Sequence, residues 1–440
     1  MSSLLDTAKS TVALAQKKGA KDAVASTYKS RDVELQWRDG KVEKVSEATT
    51  RGLSLSLYVD GRYSAVSTSD LRPEALERFV EDSIAMARTL AKDDFRSLPD
   101  PKLYEGRSSE DLEVYDPKHS SVTPEARIAL AKELEASARS HPKADGIVSV
   151  TTNVWDSEST SARVASNGFL GERQGTSFGM SASVTAKDPD GRRPAGSSSK
   201  GSRYQAELTG ADEVGRKASD RALGAIGSKK IPSAVVPLVV ENRVASRLIG
   251  ALLGPAQARA LQQKQSFLEG KLGKPIASKL LTIVDDPLLK RGFSSRHFDS
   301  DGISAKRFTV IDGGVLKAYY VDDYYGRKLK MAPTTGGASN LVFTTGKKSL
   351  EELLRSIGEG VFVTSFLGGN SNGTTGDYSF GVQGFRVEKG ALTIPIGEMN
   401  ISGNLGDLWK KLVAVGNDPY PYSSTRTPSL VFDAVQFAGA

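Results

Sequence analysis

The chain has 440 residues, of which 38% are hydrophobic and 25% are charged, with 59 Lys and Arg against 52 Asp and Glu. A chain of this length predicts two or three domains rather than one core. The net charge of +7 comes from interspersed basic and acidic residues, so we expect a mixed solvated surface and regard nucleic-acid binding as unlikely. The absence of cysteine excludes disulfides, thiolate catalysis and cysteine-bound metals.

No apolar run approaches the ~20 residues that a membrane-spanning helix requires. The start of the chain, MSSLLDTAKSTVALAQKKGA, has an amphipathic helix pattern and lacks the basic start and uninterrupted apolar centre of a signal peptide. We therefore expect a cytoplasmic protein with no membrane partner.

The first 230 residues show one order of elements twice: a helix, an antiparallel meander, and a second helix. In the first copy we predict a helix over Leu4–Lys18, strands over Asp22–Ser30, Val33–Arg38, Lys41–Ser46 and Arg51–Val59, and a helix from Pro73 to about Ala91. In the second copy we predict a helix from Pro124 to about Arg139, strands over Gly146–Trp155, Ser159–Ala165, Thr176–Ala186 and Ser198–Glu207, and a helix over Asp212–Ile226. Asp39-Gly40 and Asp60-Gly61 are typical of tight hairpin turns.

The remainder of the chain is richer in strand patterns. We predict a buried strand over Val235–Val240, helices over Asn242–Leu253, Pro255–Glu269, Leu350–Ser356 and Asn404–Val415, and strands over Leu280–Val284, Ala305–Ile311, Val315–Val321 and Ser429–Ala438. The expected fold is α+β, with N-terminal helix–antiparallel-meander–helix units followed by a strand-rich C-terminal domain. The expected domains are 1–100, 101–230 and 231–440, and the first two can also pack as one unit.

The usual catalytic side chains are scarce. The three histidines, His119, His141 and His297, lie far apart in polar contexts, so we interpret each as a solvated surface residue. The acidic pairs 285–286 and 322–323 each place at most one carboxylate on a strand face, which favours turn acids over a metal site. Ser294, His297 and Asp299 are triad residue types, but they lie too close in sequence for a typical triad.

A glycine-rich segment, Gly368–Gly373, precedes a strand pattern in which Tyr378, Phe380 and Val382 alternate with small or polar residues. The segment lacks the Gly-Lys-Ser/Thr ending of a phosphate-binding loop, so a turn between strands is the better interpretation. Its glycines then serve positive φ angles or a close approach of another backbone.

Several short blocks of the third unit resemble one known family. They are Phe298-Asp299-x-Asp301-Gly302, Ile311-Asp312-Gly313-Gly314-Val315-Leu316, Tyr325-Gly326-Arg327-Lys328-Leu329, Gly369-Asn370-Ser371-Asn372 with Thr375-Gly376-Asp377-Tyr378-Ser379, Ile401-Ser402-Gly403-Asn404-Leu405, Val415-Gly416-Asn417-Asp418 and Thr427-Pro428-Ser429-Leu430. In these blocks the chain resembles the TldD/PmbA family, also known as modulators of DNA gyrase.

The resemblance implies one of two branches. TldD-like members are zinc metalloproteases with a His-Glu-x-x-x-His helix and a C-terminal cysteine, whereas PmbA-like (TldE) members lack that site. In this chain the metal helix would fall at Leu248, Ile249, Gly250, Ala251, Leu252 and Leu253, where no side chain can donate a lone pair to zinc, and the segment 417–427 that would carry the cysteine has none. The chain therefore resembles the TldE/PmbA-like branch.

The resemblance implies a non-catalytic subunit, without a catalytic residue or cofactor of its own, that pairs with a TldD-like subunit carrying the zinc. The pair would degrade small or unfolded peptides. Candidate peptide-binding or chamber-lining residues are Gly369, Asn370, Ser371, Asn372, Asp377 and Asn404. The alternatives are a stand-alone homodimeric peptide-binding or scaffold protein, and a metallopeptidase with unfamiliar ligands.

Overall fold

The computed structural model describes residues 3–439 and combines helices with three β-sheets. The helices are α1 Leu4–Lys17, α2 Pro73–Ala87, α3 Pro124–Arg139, α4 Ala211–Gly224, α5 Asn242–Leu253, α6 Ala258–Gln262, α7 Asp323–Leu329, α8 Leu350–Ile357 and α9 Leu405–Lys410. The strands of the N-terminal half are β1 Asp22–Arg38, β2 Lys41–Val59, β3 Arg62–Thr68, β4 Ile147–Ala165, β5 Leu170–Ala186 and β6 Ala195–Ser202. The strands of the C-terminal half are β7 Ala234–Val240, β8 Ile283–Asp285, β9 Phe308–Asp312, β10 Val315–Leu316, β11 Leu341–Phe343, β12 Gly360–Phe366, β13 Asn370–Ser371, β14 Asp377–Glu388, β15 Ala391–Asn404, β16 Leu412–Val415, β17 Thr425–Arg426 and β18 Leu430–Ala438.

The two N-terminal copies share one antiparallel sheet in the order β3-β2-β1-β4-β5-β6. Strands β1 and β4 join the copies, in a register that runs from Val24 opposite Ala165 to Arg38 opposite Thr151. One core lies under α1 and α2, and a second lies under α3 and α4. The domain bounds within this region stay a prediction.

The long strands correct the sequence analysis. Breaks predicted within β1 and β2 do not occur, because Arg31 stays in register with Thr49 and the ladder continues through the polar residues. The predicted turns are confirmed: Asp39 and Gly40 have φ of 46° and 84°, and Asp60 and Gly61 have 51° and 76°. Two successive positive φ angles are those of a type I′ hairpin turn.

The C-terminal half contains a sheet that closes on itself. Its order is β12-β7-β18-β15-β14, and β14 pairs again with β12. The predicted alternation along β14 is confirmed, since Tyr378, Phe380 and Val382 are buried while Asp377 and Ser379 are exposed. A smaller sheet in the order β10-β9-β8-β11-β17 packs into the same core. The α+β class with a strand-rich C-terminal half is confirmed.

Three element predictions in this half are wrong. The helix predicted over Pro255–Glu269 is reduced to a 3₁₀ turn and the short α6. The helix predicted over Asn404–Val415 ends at Lys410, and β16 then pairs with β18. The strand predicted over Val315–Val321 keeps two residues, and the following α7 was not predicted. The apolar spacing of Leu405, Leu408 and Leu412 is typical of a helix. Leu412 is nevertheless extended, because β16 pairs with β18.

His119 is not a surface residue as predicted, because it is 2% exposed. Its Nε2 lies 2.8 Å from Asp156 Oδ1, and Arg127 donates to the other oxygen of Asp156 at 2.5 Å. His141 and His297 are partly buried on separate elements, near Asp220 and the carbonyl of Glu110 respectively. Within residues 3–439, no helix is long and apolar enough to cross a membrane.

Candidate functional site

Helix α5 carries the position where the resemblance places a metal-binding helix. It forms because apolar residues recur on one face of the helix. It ends at Leu253 because Pro255 cannot continue a helix. Leu248, Ile249 and Leu252 on that face are buried against the closed sheet, in the same core cluster as Leu238 of β7 and Val363 of β12. The helix is therefore held by apolar packing.

The residues of α5 do not fit a zinc ion. Alkyl side chains have no lone pair to donate, and Gly250 and Ala251 carry no polar side-chain atom. Within residues 3–439, no group of three or more His, Cys, Asp or Glu residues is placed to hold a metal ion.

The outward face of α5 borders an open groove of about 470 Å³. Gly250, Ala251 and Gly254 form its floor, and a Cβ atom added at Gly250 or Gly254 would meet nothing within 4 Å. The walls carry amide side chains and backbone from Gln257, Gln263, Gln265, Ser371 and Gly373. We call this feature the α5 groove.

Among the described residues that line the α5 groove, only Arg259 is charged. The groove thus offers hydrogen-bond donors and acceptors but no carboxylate, imidazole or thiol that could act as a general acid, base or nucleophile. Its chemistry suits binding of an extended backbone rather than bond cleavage.

Arg247 fixes the glycine-rich segment beside the groove. Its Nη2 donates to the carbonyl of Gly369 at 2.7 Å, and its guanidinium lies 5.1 Å from the centre of the Phe380 ring. Gly369 itself has φ of 85°, and a Cβ there would lie 2.1 Å from the carbonyl oxygen of Ser379. Only glycine allows the segment to approach β14 this closely.

Strand β13 is an exposed edge. Asn370 lies opposite Ser379 and Ser371 opposite Tyr378, and Asn372 N–H donates to the carbonyl of Asp377. In an antiparallel ladder every second residue points its N–H and C=O away from its partner strand. Ser371 is that residue, and no other described strand pairs with β13, so its backbone groups face the open side.

The predicted residues Asn372, Asp377 and Asn404 lie together, but their side chains make hydrogen bonds that hold the loop between β13 and β14. Asn372 Oδ1 accepts from the N–H groups of Thr374 and Thr375. Asn404 Nδ2 donates to Asp377 Oδ1 at 3.1 Å, and Asn404 Oδ1 caps α9. Hydrogen bonds from Thr375 and then Asn404 lower the pKa of Asp377 below its usual range. These contacts leave Asn370 and Ser371 as the open part of the predicted set, because the carbonyl of Gly369 already accepts from Arg247.

The segment expected to carry a cysteine lies at the start of α5. Asn242 Nδ2 donates to the carbonyl of Asp418 at 2.7 Å, and Thr427 Oγ1 donates to the carbonyl of Asn242 at 2.9 Å. The two segments singled out by the resemblance are therefore in contact.

Sequence reasoning missed Arg247 and the groove glutamines. The sequence did contain a pattern that indicates the helical side of the groove. Arg247, Gly250, Ala251 and Gly254 recur at spacings of three and four residues. That spacing defines one helix face, opposite the buried leucines. The glutamines come from an irregular segment after α5, where no periodicity exists to read.

Family models match three successive parts of the chain. They are described as the PmbA/TldA metallopeptidase domain 1, over residues 23–87, the central domain, over 117–226, and the C-terminal domain, over 233–439. The metalloprotease PmbA of Escherichia coli O157:H7 is 30% identical over 425 residues, which cover 96% of this chain and 92% of that protein. A metalloprotease TldD homologue of Buchnera aphidicola is 26% identical over 77% of this chain and 74% of its own length.

Solved structures have the same fold. A Bacteroides thetaiotaomicron protein described as a candidate modulator of DNA gyrase is 40% identical, with a TM-score of 0.95 over 99% of this chain and 98% of its own. TldE from Thermococcus kodakarensis shares the fold at 20% identity, with a TM-score of 0.87 over 98% of this chain and all of its own. By its domain matches and its identity to PmbA along nearly its whole length, the chain belongs to the PmbA/TldD family of metallopeptidases.

Proposed function

We propose that this chain is the non-catalytic, TldE/PmbA-like subunit of a heterodimeric zinc metalloprotease that degrades small or unfolded peptides. The observation that carries the proposal is the composition of α5, where leucine and isoleucine at the metal-helix position pack into the core and Gly250 and Ala251 face the α5 groove. Zinc and the activation of water would belong to a TldD-like partner.

The role proposed for this chain is to hold extended peptide. Ser371 presents its backbone N–H and C=O at the open edge of β13, and the α5 groove lies beside it with uncharged amide groups. A peptide added to such an edge gains main-chain hydrogen bonds irrespective of its sequence, which suits a protease of unfolded substrates.

Co-purification tests the pairing. The tagged chain is expressed with a TldD-like homologue that carries the His-Glu-x-x-x-His sequence, and the complex is isolated through the tag. We expect a one-to-one complex in which the zinc signal disappears when the partner's histidines are replaced. A stable homodimer that fails to recruit the homologue would favour the scaffold alternative and contradict the proposal.

A further inference from the structure

A second cavity lies far from α5 in sequence and shares no lining residue with the α5 groove. It has a volume of about 250 Å³ and is lined by three parts of the chain. Tyr58 and Arg163 come from the N-terminal sheet, Arg96 from the connector after α2, and Asp301 with Tyr325 from the C-terminal half. We call it the junction cavity.

The cationic side of the junction cavity is preorganised. The guanidinium of Arg96 lies between two tyrosine rings, 3.5 Å from the centre of Tyr324 and 4.3 Å from that of Tyr63. Its side chain makes no hydrogen bond or ion pair with the described residues, and the nearby Asp93 accepts from the Tyr324 hydroxyl. A guanidinium held between aromatic rings keeps its planar donors free for a carboxylate.

Arg163 adds a second incompletely used cation. Its Nη1 donates to Ser26 Oγ at 3.0 Å, and its buried Nε has no hydrogen-bond partner. Within the described residues neither guanidinium forms an ion pair, although Arg96 lowers the pKa of Asp93 and Arg163 lowers that of Asp301.

The anionic side is Asp301. Its Oδ2 accepts from the backbone N–H of Asp323 at 3.2 Å, and its Oδ1 has no hydrogen bond within the described chain. The neighbouring carboxylates are already engaged, since Asp323 pairs with Arg327 at 2.7 Å and Asp322 caps α7. Burial, and then Asp299, raise the pKa of Asp301 to about 6. The group is therefore ionised at neutral pH with one oxygen free.

Tyr58 lines the junction cavity together with Asp301, Arg96 and Arg163. Its pKa is raised by burial, then by Tyr63 and Asp301, while Arg96 and Arg163 lower it. The carboxylate and both guanidinium groups therefore act electrostatically on the Tyr58 hydroxyl. That hydroxyl makes no hydrogen bond within the described chain. A cavity with unpaired charges of both signs and a free hydroxyl complements a ligand that carries both charges itself.

We propose that the junction cavity binds a small zwitterion, an α-amino acid or short peptide with free termini, whose ammonium group contacts Asp301 and whose carboxylate contacts Arg96 and Arg163. The site would link the N-terminal sheet, the connector and the C-terminal half. This inference does not rest on the proposed subunit role, because a stand-alone protein would carry the same cavity.

Calorimetric titration of the full chain tests the site with dialanine, N-acetyl-dialanine and dialanine amide as probes. We expect dialanine to bind with a Kd of about 1 mM or tighter, and either terminal block to weaken binding at least about tenfold. Asp301→Asn and Arg96→Gln should each weaken dialanine binding by a similar factor. Asp60→Asn, at an exposed carboxylate outside the cavity, is the matched control and should bind as the unaltered chain does.

The blocked peptides separate the two contacts. Asp301→Asn should not further weaken the binding of N-acetyl-dialanine, because that probe lacks the ammonium group. Arg96→Gln should not further weaken the binding of dialanine amide, because that probe lacks the carboxylate. Absence of dialanine binding at about 10 mM would overturn the proposal, as would equal binding by Asp301→Asn. Equal binding of dialanine and its amide would show a cation site alone and would also overturn it. A chemical-denaturation curve of each variant verifies folding.

Discussion

At the scale of single residues, Asp301 links stability to pH. Its pKa rises from an ordinary 3.8 to about 6, first through burial and then through Asp299. The groups that face it are the carboxylates of Asp299 and Asp322, the Arg163 guanidinium and the N–H of Asp323. A carboxyl whose folded pKa is raised stabilises the fold fully below its unfolded pKa, and this contribution is lost as pH rises through the folded value.

We predict that Asp301→Asn stabilises the chain at pH 8 but not at pH 3.5. The amide keeps the acceptor for Asp323 N–H and removes the buried charge, so the gain in unfolding free energy at pH 8 is at most about 3 kcal/mol. Urea unfolding at both pH values measures the difference. A gain of equal size at pH 3.5 would show that the effect does not come from ionisation of Asp301. Asp60→Asn removes an exposed carboxylate and serves as the control.

The sequence did not reveal the environment of His119. His119 stands in a polar stretch, Pro-Lys-His-Ser, and yet it is buried beside Asp156. The partner lies 37 positions away on β4, and nothing local to either residue indicates the contact. The cluster forms where a 3₁₀ turn and α3 pack against β4, and local patterns do not contain this tertiary contact.

At the scale of elements, the glycine-rich segment contains a natural comparison. Gly368 and Gly369 have nearly equal φ angles of 83° and 85°, but a Cβ at Gly368 meets nothing within 4 Å whereas one at Gly369 meets Ser379 oxygen at 2.1 Å. We predict that Gly368→Ala costs about 1 kcal/mol of unfolding free energy from backbone strain alone. Gly369→Ala should cost at least about 2 kcal/mol more, because the backbone must shift. Equal losses in a denaturant titration would refute the close-approach argument.

Strand β13 provides a second prediction at this scale. Proline at position 371 removes the outward N–H without removing a bond to β14, so Ser371→Pro should leave the unfolding midpoint nearly unchanged. Peptide degradation by the reconstituted complex should fall at least about tenfold if substrate adds to this edge. Ser371→Ala keeps the amide and should retain degradation. Full activity of the proline variant would exclude strand addition at β13.

Elements whose periodicity and end residues are both visible in the local sequence were predictable. Helix α5 has the predicted bounds, Asn242–Leu253, because a clear apolar stripe ends in Gly254-Pro255. Helix α9 was overextended, because Leu412 continues the apolar spacing of Leu405 and Leu408 although it belongs to β16. The α5 groove was not predictable, since its glutamines lie on irregular backbone that only the tertiary fold places beside the helix.

At the scale of the whole molecule, the N-terminal half should unfold as one unit. Leu35 and Trp37 of β1 belong to the core under α3 and α4, and Trp37 Nε1 donates to Glu135 of α3. We predict that a fragment of residues 1–100 lacks a cooperative urea transition, because β1 loses β4 and exposes these side chains. A fragment of residues 1–230 should show one transition. Cooperative unfolding of the shorter fragment would contradict the dependence of β1 on β4 and α3.

The central proposal is that this chain has no zinc site and no peptidase activity of its own. The most direct measurement is degradation of an unfolded peptide by this chain alone, by a TldD-like homologue alone, and by the two together, with zinc determined for each. We predict no cleavage and no stoichiometric zinc for this chain alone, and zinc-dependent cleavage by the pair. Zinc-dependent cleavage by this chain without a partner would contradict the account.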